Sequence, residues 1–91
     1  MTLTSLRAFH AVAEAGGFTR AAAALGLSQP TLSSQVRALE ARYAASLFDR
    51  KGRGVSLTPL GQRLYDITTR MFSAEEDARA LLEGATTLRR G

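Results

Sequence analysis

Ninety-one residues with a net charge of +4 and a pI near 10.7 suit one small domain with a single core, and the basic balance favours an anionic partner. The absence of cysteine excludes a disulfide framework and a thiolate metal site, and the lone His10 excludes a multi-histidine one. No apolar run approaches the roughly 20 residues of a membrane span, and MTLTSLRAFH has neither the basic start nor the apolar centre of a signal peptide, so a cytoplasmic chain is expected.

Residues Leu3 to Ala15 place Leu6, Phe9, Val12 and Ala13 on one face of an amphipathic helix that Thr2 or Thr4 caps and Gly16 and Gly17 end. His10 lies beside this stripe and reads as packing or boundary surface. Thr19 caps a short second helix, Arg20 to Leu25, whose successive alanines leave almost no bulk, so something packs close to it. Gly26 supplies the left-handed turn, Leu27 drops toward the core, and Ser28 restarts the chain. Ala22, Gly26 and Leu32 then have the spacing of a helix-turn-helix: a small residue where helices touch, a turn glycine, and an anchor on the next helix. Taken alone, the pattern also fits an alanine-rich helical hairpin.

The third helix spans SQPTLSSQVRALEARY, with Ser28 as N-cap and Pro30 in the first turn, where its missing N–H has no partner to lose. Leu32, Val36, Leu39 and Tyr43 fall at i, i+4, i+7 and i+11 and should face inward. The opposite side carries Pro30, Ser34 and Arg37, flanked by Thr31, Ser33 and Gln35. Next, Leu47, Phe48, Val55 and Leu57 flank KGRG, which reads as two short strands joined by a basic, glycine-bearing turn. This is a wing.

Thr58 and Pro59 start a long helix to about Glu83, in which only Gly61 is unfavourable. Leu60, Leu64, Ile67, Met71, Ala74, Ala78, Leu81, Ala85 and Leu88 alternate spacings of four and three, a heptad seam. The preceding residues are too few to cover it, so its second half calls for another chain. GATTLRRG loses helix formers and reads as linker. Residues 1–58 are therefore expected to form the winged domain, 59–84 a dimerisation helix, and 85–91 the remnant of a hinge.

No catalytic constellation is present: no nucleophile beside a base, no paired carboxylates in an apolar setting, no P-loop and no metal-ligand spacing. Asp49, between Phe48 and Arg50, fits a salt link better than proton transfer. An enzyme is not expected, and neither is a cofactor. Charge placement points to nucleic acid instead. Residues 1–72 set nine basic side chains against Glu14, Glu40, Asp49 and Asp66, and every basic residue but Lys51 is Arg, whose planar fork matches phosphate and guanine edges. Double-stranded DNA gives each part a role: Gln29, Pro30, Thr31, Ser33, Ser34 and Gln35 against base edges in the major groove, Ser28 and Arg37 on phosphates, and Arg50, Lys51 and Arg53 on the backbone or in an adjacent minor groove.

These residues carry a resemblance. LRAFHAVAEAGGFTRAAAALGLSQPTLSSQVRALE, then LFDR and LTPLGQRL, resemble the N-terminal DNA-binding region of LysR-type transcriptional regulators from Leu3 to about Phe72. The resemblance implies a mainly α, winged helix-turn-helix fold with a two-stranded β wing and a long helix that pairs two copies, usually antiparallel, through Leu60, Leu64, Ile67, Met71, Ala74, Ala78 and Leu81. It also implies nucleoid association, interrupted palindromic operators, further pairing into tetramers in the full-length protein, and a small-molecule effector read by a separate C-terminal domain. The same motifs look most like the branch linked to aminoethylphosphonate utilisation. Ser34 departs from the pattern, because many members carry a long side chain there, and this puts a guanine contact in doubt. Two other readings stay open on the residues alone: a winged-helix protein-interaction module and a stand-alone small dimeric regulator.

Overall fold

A computed structural model describes residues 1–52 and 54–90, those from 86 onward by backbone alone. Six elements follow one another: α1 (Leu3–Ala15), α2 (Phe18–Leu25), α3 (Gln29–Arg42), β1 (Phe48–Asp49), β2 (Ser56–Leu57) and α4 (Pro59–Arg90). Local chemistry marks the start of α1 and α3 and the end of α1 and α2. Thr2 and Ser5 form a reciprocal capping box on α1, and Gly16, left-handed at φ 75°, closes it. Gly26, at φ 68°, ends α2, and the Leu27 N–H reaches back to the Ala22 carbonyl at 2.9 Å. Ser28 then caps α3 through the Thr31 N–H, with proline in the first turn.

The core forms where α1, α2 and α3 cross. Leu6, Phe9 and Val12 from α1 meet Ala21 and Ala22 from α2 and Leu32, Val36 and Leu39 from α3, and Leu47 and Phe48 close it from the wing. Phe9 is fully buried with its ring 5.3 Å from that of Phe48, an aromatic pair worth about 1 kcal/mol beyond its burial. The alanines of α2 are what let the three helices approach. β1 and β2 pair antiparallel, Phe48 opposite Leu57 and Asp49 opposite Ser56. This is a winged helix-turn-helix carrying a long C-terminal helix.

Four expectations need correction. α2 starts at Phe18 with Gly17 as its N-cap, not at Arg20 behind a Thr19 cap, because the Phe18 ring packs edge-on to Phe48 at 5.8 Å and draws the first turn onto the core. Tyr43 does not point inward. It is the C-cap of α3, has left helical geometry at φ −109°, and is 54% exposed. α4 continues to Arg90, past Glu83, since nothing after Pro59 blocks a helix and Gly84 stands in open space. Asp49 accepts the Lys51 N–H at 3.0 Å and makes no salt link with Arg50.

Ala44, directly after that cap, holds φ 48°, the left-handed region that costs a residue with a Cβ about 1–2 kcal/mol. Ala44→Gly is therefore expected to raise stability by about 0.5–1 kcal/mol after the added chain entropy of glycine. Equal denaturant midpoints for the two proteins would show that the left-handed strain is absent.

The start of α4 is clamped to the wing. Thr58 Oγ1 accepts the Gly61 N–H at 3.0 Å and donates to the Ser46 carbonyl at 2.7 Å, while the Thr58 N–H donates to the Leu47 carbonyl at 3.1 Å. Gly61 is buried against that same carbonyl, and any Cβ there would overlap it. Further along, Leu64, Tyr65, Met71 and Phe72 pack on the domain and Thr68 is fully buried. His10 bridges the two helices: its Nδ1 lies 2.9 Å from Thr68 Oγ1 and its Nε2 lies 3.1 Å from Glu14 Oε2, with the Tyr65 and Phe72 rings beside it. Beyond Glu75 α4 leaves the body, which accounts for overall dimensions of 53 × 25 × 22 Å.

Candidate nucleic-acid interface

The outer face of α3 is built by alternation. Because Leu32, Val36 and Leu39 are taken up by the core, Gln29, Pro30, Thr31, Ser34 and Arg37 are left exposed. The short polar side chains at its N-terminal end are already ordered among themselves. Ser28 Oγ donates to Thr31 Oγ1 at 2.8 Å and accepts the Thr31 N–H at 3.2 Å, and Gln29 Nε2 donates to Ser33 Oγ at 2.9 Å. Side chains held this way lose little entropy when a partner arrives. Arg37 makes no ion pair among the described residues, so its charge faces solvent one turn beyond Ser34.

Not every expected contact residue shares this face. Ser33 is half-buried, and so is Gln35, whose side-chain carbonyl oxygen is buried with no hydrogen-bond partner among the described residues. Gln35 thus lies on the edge that turns toward the body.

At the wing, Lys51 is exposed and Gly52 and Gly54 hold φ of 80° and 82°, backbone conformations that glycine adopts without strain. Arg53, between them, lies outside the described residues. Arg50 is already engaged: its Nη2 donates to Glu40 Oε1 at 3.2 Å, and its guanidinium lies 5.2 Å from the centre of the Phe18 ring. Neither Glu40 nor Phe18 stands out for this role in the sequence. The only signal for the pair was one acidic residue on an otherwise uncharged or basic helix.

The heptad seam divides in two. Leu64 and Met71 are half-buried against the chain's own core, whereas Leu60, Ile67, Ala74, Ala78 and Leu81 are exposed, Leu81 at 73%. Beside Leu60 and Leu64 lies an apolar hollow of about 240 Å³ walled by Met1, Leu39, Tyr43 and Leu47. Tyr43, turned out of the core, forms part of this wall. Among the described residues no helix is long and apolar enough to cross a membrane.

A three-helix body with an exposed, pre-ordered polar helix, a glycine-tipped basic wing and a protruding amphipathic helix defines a winged helix-turn-helix module of the regulatory type. Residues 3–62 match the model of the bacterial regulatory helix-turn-helix proteins of the lysR family, and the chain belongs to that family. It is similar to the HTH-type transcriptional regulator BudR of Klebsiella aerogenes, 44% identical over 91 residues, which are 100% of this chain and 62% of that one. The fold superposes on the DNA-binding domain of BenM, solved in complex with catB site 1 DNA, with a TM-score of 0.83 at 35% identity, covering 91% of this chain and 92% of that one. It also matches an OxyR mutant from Corynebacterium glutamicum, with a TM-score of 0.82 at 37% identity, over 92% of this chain and 27% of that one. The chain spans 57% and 62% of two curated relatives that it matches. These relatives lend no support to the aminoethylphosphonate branch.

Proposed function

We propose that this chain is a sequence-specific DNA-binding domain of a bacterial transcription regulator, acting in the cytoplasm as a homodimer on interrupted palindromic operators. The observation that carries the reading is the outer face of α3: exposed, already hydrogen-bonded, flanked by Arg37, and set on a fold shared with a domain solved on DNA. In this reading α3 enters the major groove, where Gln29, Pro30, Thr31 and Ser34 meet base edges and Ser33 supports Gln29. Ser28, the N-terminus of α3 and Arg37 hold phosphates, and Lys51 and Arg53 of the wing reach the adjacent backbone or minor groove. The exposed row of α4 and the hollow by Tyr43 are covered by a second copy, with further pairing into tetramers a property of longer family members. The domain performs no catalysis and takes no cofactor, and a small-molecule effector acts through a separate domain.

Short side chains at the base-reading positions leave much of the affinity to phosphates. If Arg37 and Lys51 of both copies each neutralise one phosphate, the logarithm of the association constant falls against log salt with a slope of about −3.6 or steeper. Operator binding measured by fluorescence anisotropy across a salt series checks this. Affinity insensitive to salt would contradict it.

A further inference from the structure

The strand ladder alone does not hold the wing in position. Its strands are two residues each, and a hairpin this short has too few ladder bonds to stand alone. Leu47 and Phe48 anchor one strand in the core, Val55 and Leu57 of the other pack against it, and Thr58 ties the far end to Ser46 and Leu47, but Arg50 and the basic tip beyond Asp49 take a further support. That support comes from Glu40, the one acidic side chain on α3. Its side chain is only 13% exposed, and its carboxylate divides its two oxygens between two parts of the wing. Oε2 accepts the Leu47 N–H at 2.9 Å, and Oε1 accepts Arg50 Nη2 at 3.2 Å. Arg50 in turn lies against the Phe18 ring, so the start of α2, the last turn of α3 and the base of the wing meet at one ion pair.

A carboxylate on a helix that must approach phosphates is unfavourable for binding unless it does something else. We propose that Glu40 is a positioning residue: it sets the height of the wing relative to α3, so that the bases read by the helix and the flank read by the wing are read in one register. It touches no DNA itself. Arg50, at 45% exposure, acts as a strut of the wing as much as a contact. The proposal rests on the DNA-binding reading above.

Charge alone and positioning differ in what they predict for sequence preference. Glu40→Gln keeps an acceptor for the Leu47 N–H but removes the negative charge and loosens Arg50. On charge alone, binding tightens on every DNA and sequence preference is untouched. If Glu40 positions the wing, affinity for unrelated DNA holds or rises while the preference for the correct wing-facing flank falls.

The test uses the wild-type chain, E40Q and R50K, with competition between the operator that wild type selects and two variants of it, one altered under α3 and one under the wing. E40Q is expected to reduce flank discrimination about tenfold, the size of one lost base-pair preference, with discrimination under α3 and the thermal midpoint unchanged. R50K, which keeps the charge but loses the planar fork and the stacking on Phe18, is expected to fall between wild type and E40Q. If E40Q does not fold, R50K is held to the same flank criterion. Full flank discrimination in E40Q, or equal losses at both places together with a lowered midpoint, would overturn the proposal. A wild type with no preference at either place would instead overturn the DNA-binding reading.

Discussion

Gly61→Ala is expected to destabilise the fold by about 3 kcal/mol, the upper end of overpacking penalties, because the new Cβ would overlap the Leu47 carbonyl and backbone has little room to yield. Helix propensity alone predicts the reverse sign, a gain of about 1 kcal/mol from removing a helical glycine. Sterics decide the sign here. Shifting α4 away to relieve the overlap would stretch the bond from the Thr58 N–H to Leu47 and the bond from Thr58 Oγ1 to Ser46, and would pull α4 off the Leu57 side chain. For a domain of this size the loss corresponds to a fall in Tm of roughly 10–20 °C. A thermal melt followed by circular dichroism reads it directly, and an unchanged or higher Tm would show that α4 does not approach the wing this closely.

Ile67→Glu is expected to leave the monomer folded and abolish the dimer. Ile67 is 45% exposed on the single chain, so a carboxylate there meets water in the monomer and costs the fold little. In a dimer sealed by Leu60, Ile67, Ala74, Ala78 and Leu81 the same carboxylate is buried without a partner, at a cost of several kcal/mol. Sedimentation velocity should then show a single monomeric species, with helical circular dichroism retained. Affinity for a palindrome should drop about 100-fold or more, since the second half-site no longer binds intramolecularly. A dimer that persists in Ile67→Glu would place the subunit contact elsewhere than on the exposed row of α4.

Much of the architecture was legible because its signals are local. Ser28 and Pro30 mark the start of α3 within one turn, Gly26 marks the bend before it, and KGRG between apolar pairs marks the wing. Period alone misled at Tyr43. Its i+11 position from Leu32 is inward only while the helix continues, and α3 ends at Arg42, so the ring leaves the helical register for the surface. The start of α2 reads as Thr19 and not Phe18 because a capping side chain shows in sequence, whereas a ring drawn onto Phe48 thirty residues later does not.

In the candidate site, the outward row of α3 follows from which residues the core removes, so Pro30, Ser34 and Arg37 could be placed by counting. Gln35 could not, since the packing beside it decides that its amide turns inward. The same holds for Arg50, which reads as a free cation beside Lys51 until Glu40, ten residues earlier, is brought within 3.2 Å of it. His10 shows the limit from the other side. Its place beside the apolar stripe reads as packing surface with no titratable group near it, yet Glu14, four residues on, lies 3.1 Å from its Nε2, and Thr68 joins it only when α4 folds back across α1. Splitting the heptad seam into a half that seals the domain and a half that faces outward likewise needed the tertiary fold, because both halves have the same period.

The central claim is that α3 reads DNA sequence and that α4 sets two copies on one operator. Selection of bound duplexes from a random pool by the 91-residue chain tests it most directly. Enrichment of an inverted repeat with half-sites centred about one helical turn apart, or a multiple of it, is the predicted result. A pool that stays random after repeated rounds, or that yields only isolated half-sites, would contradict it.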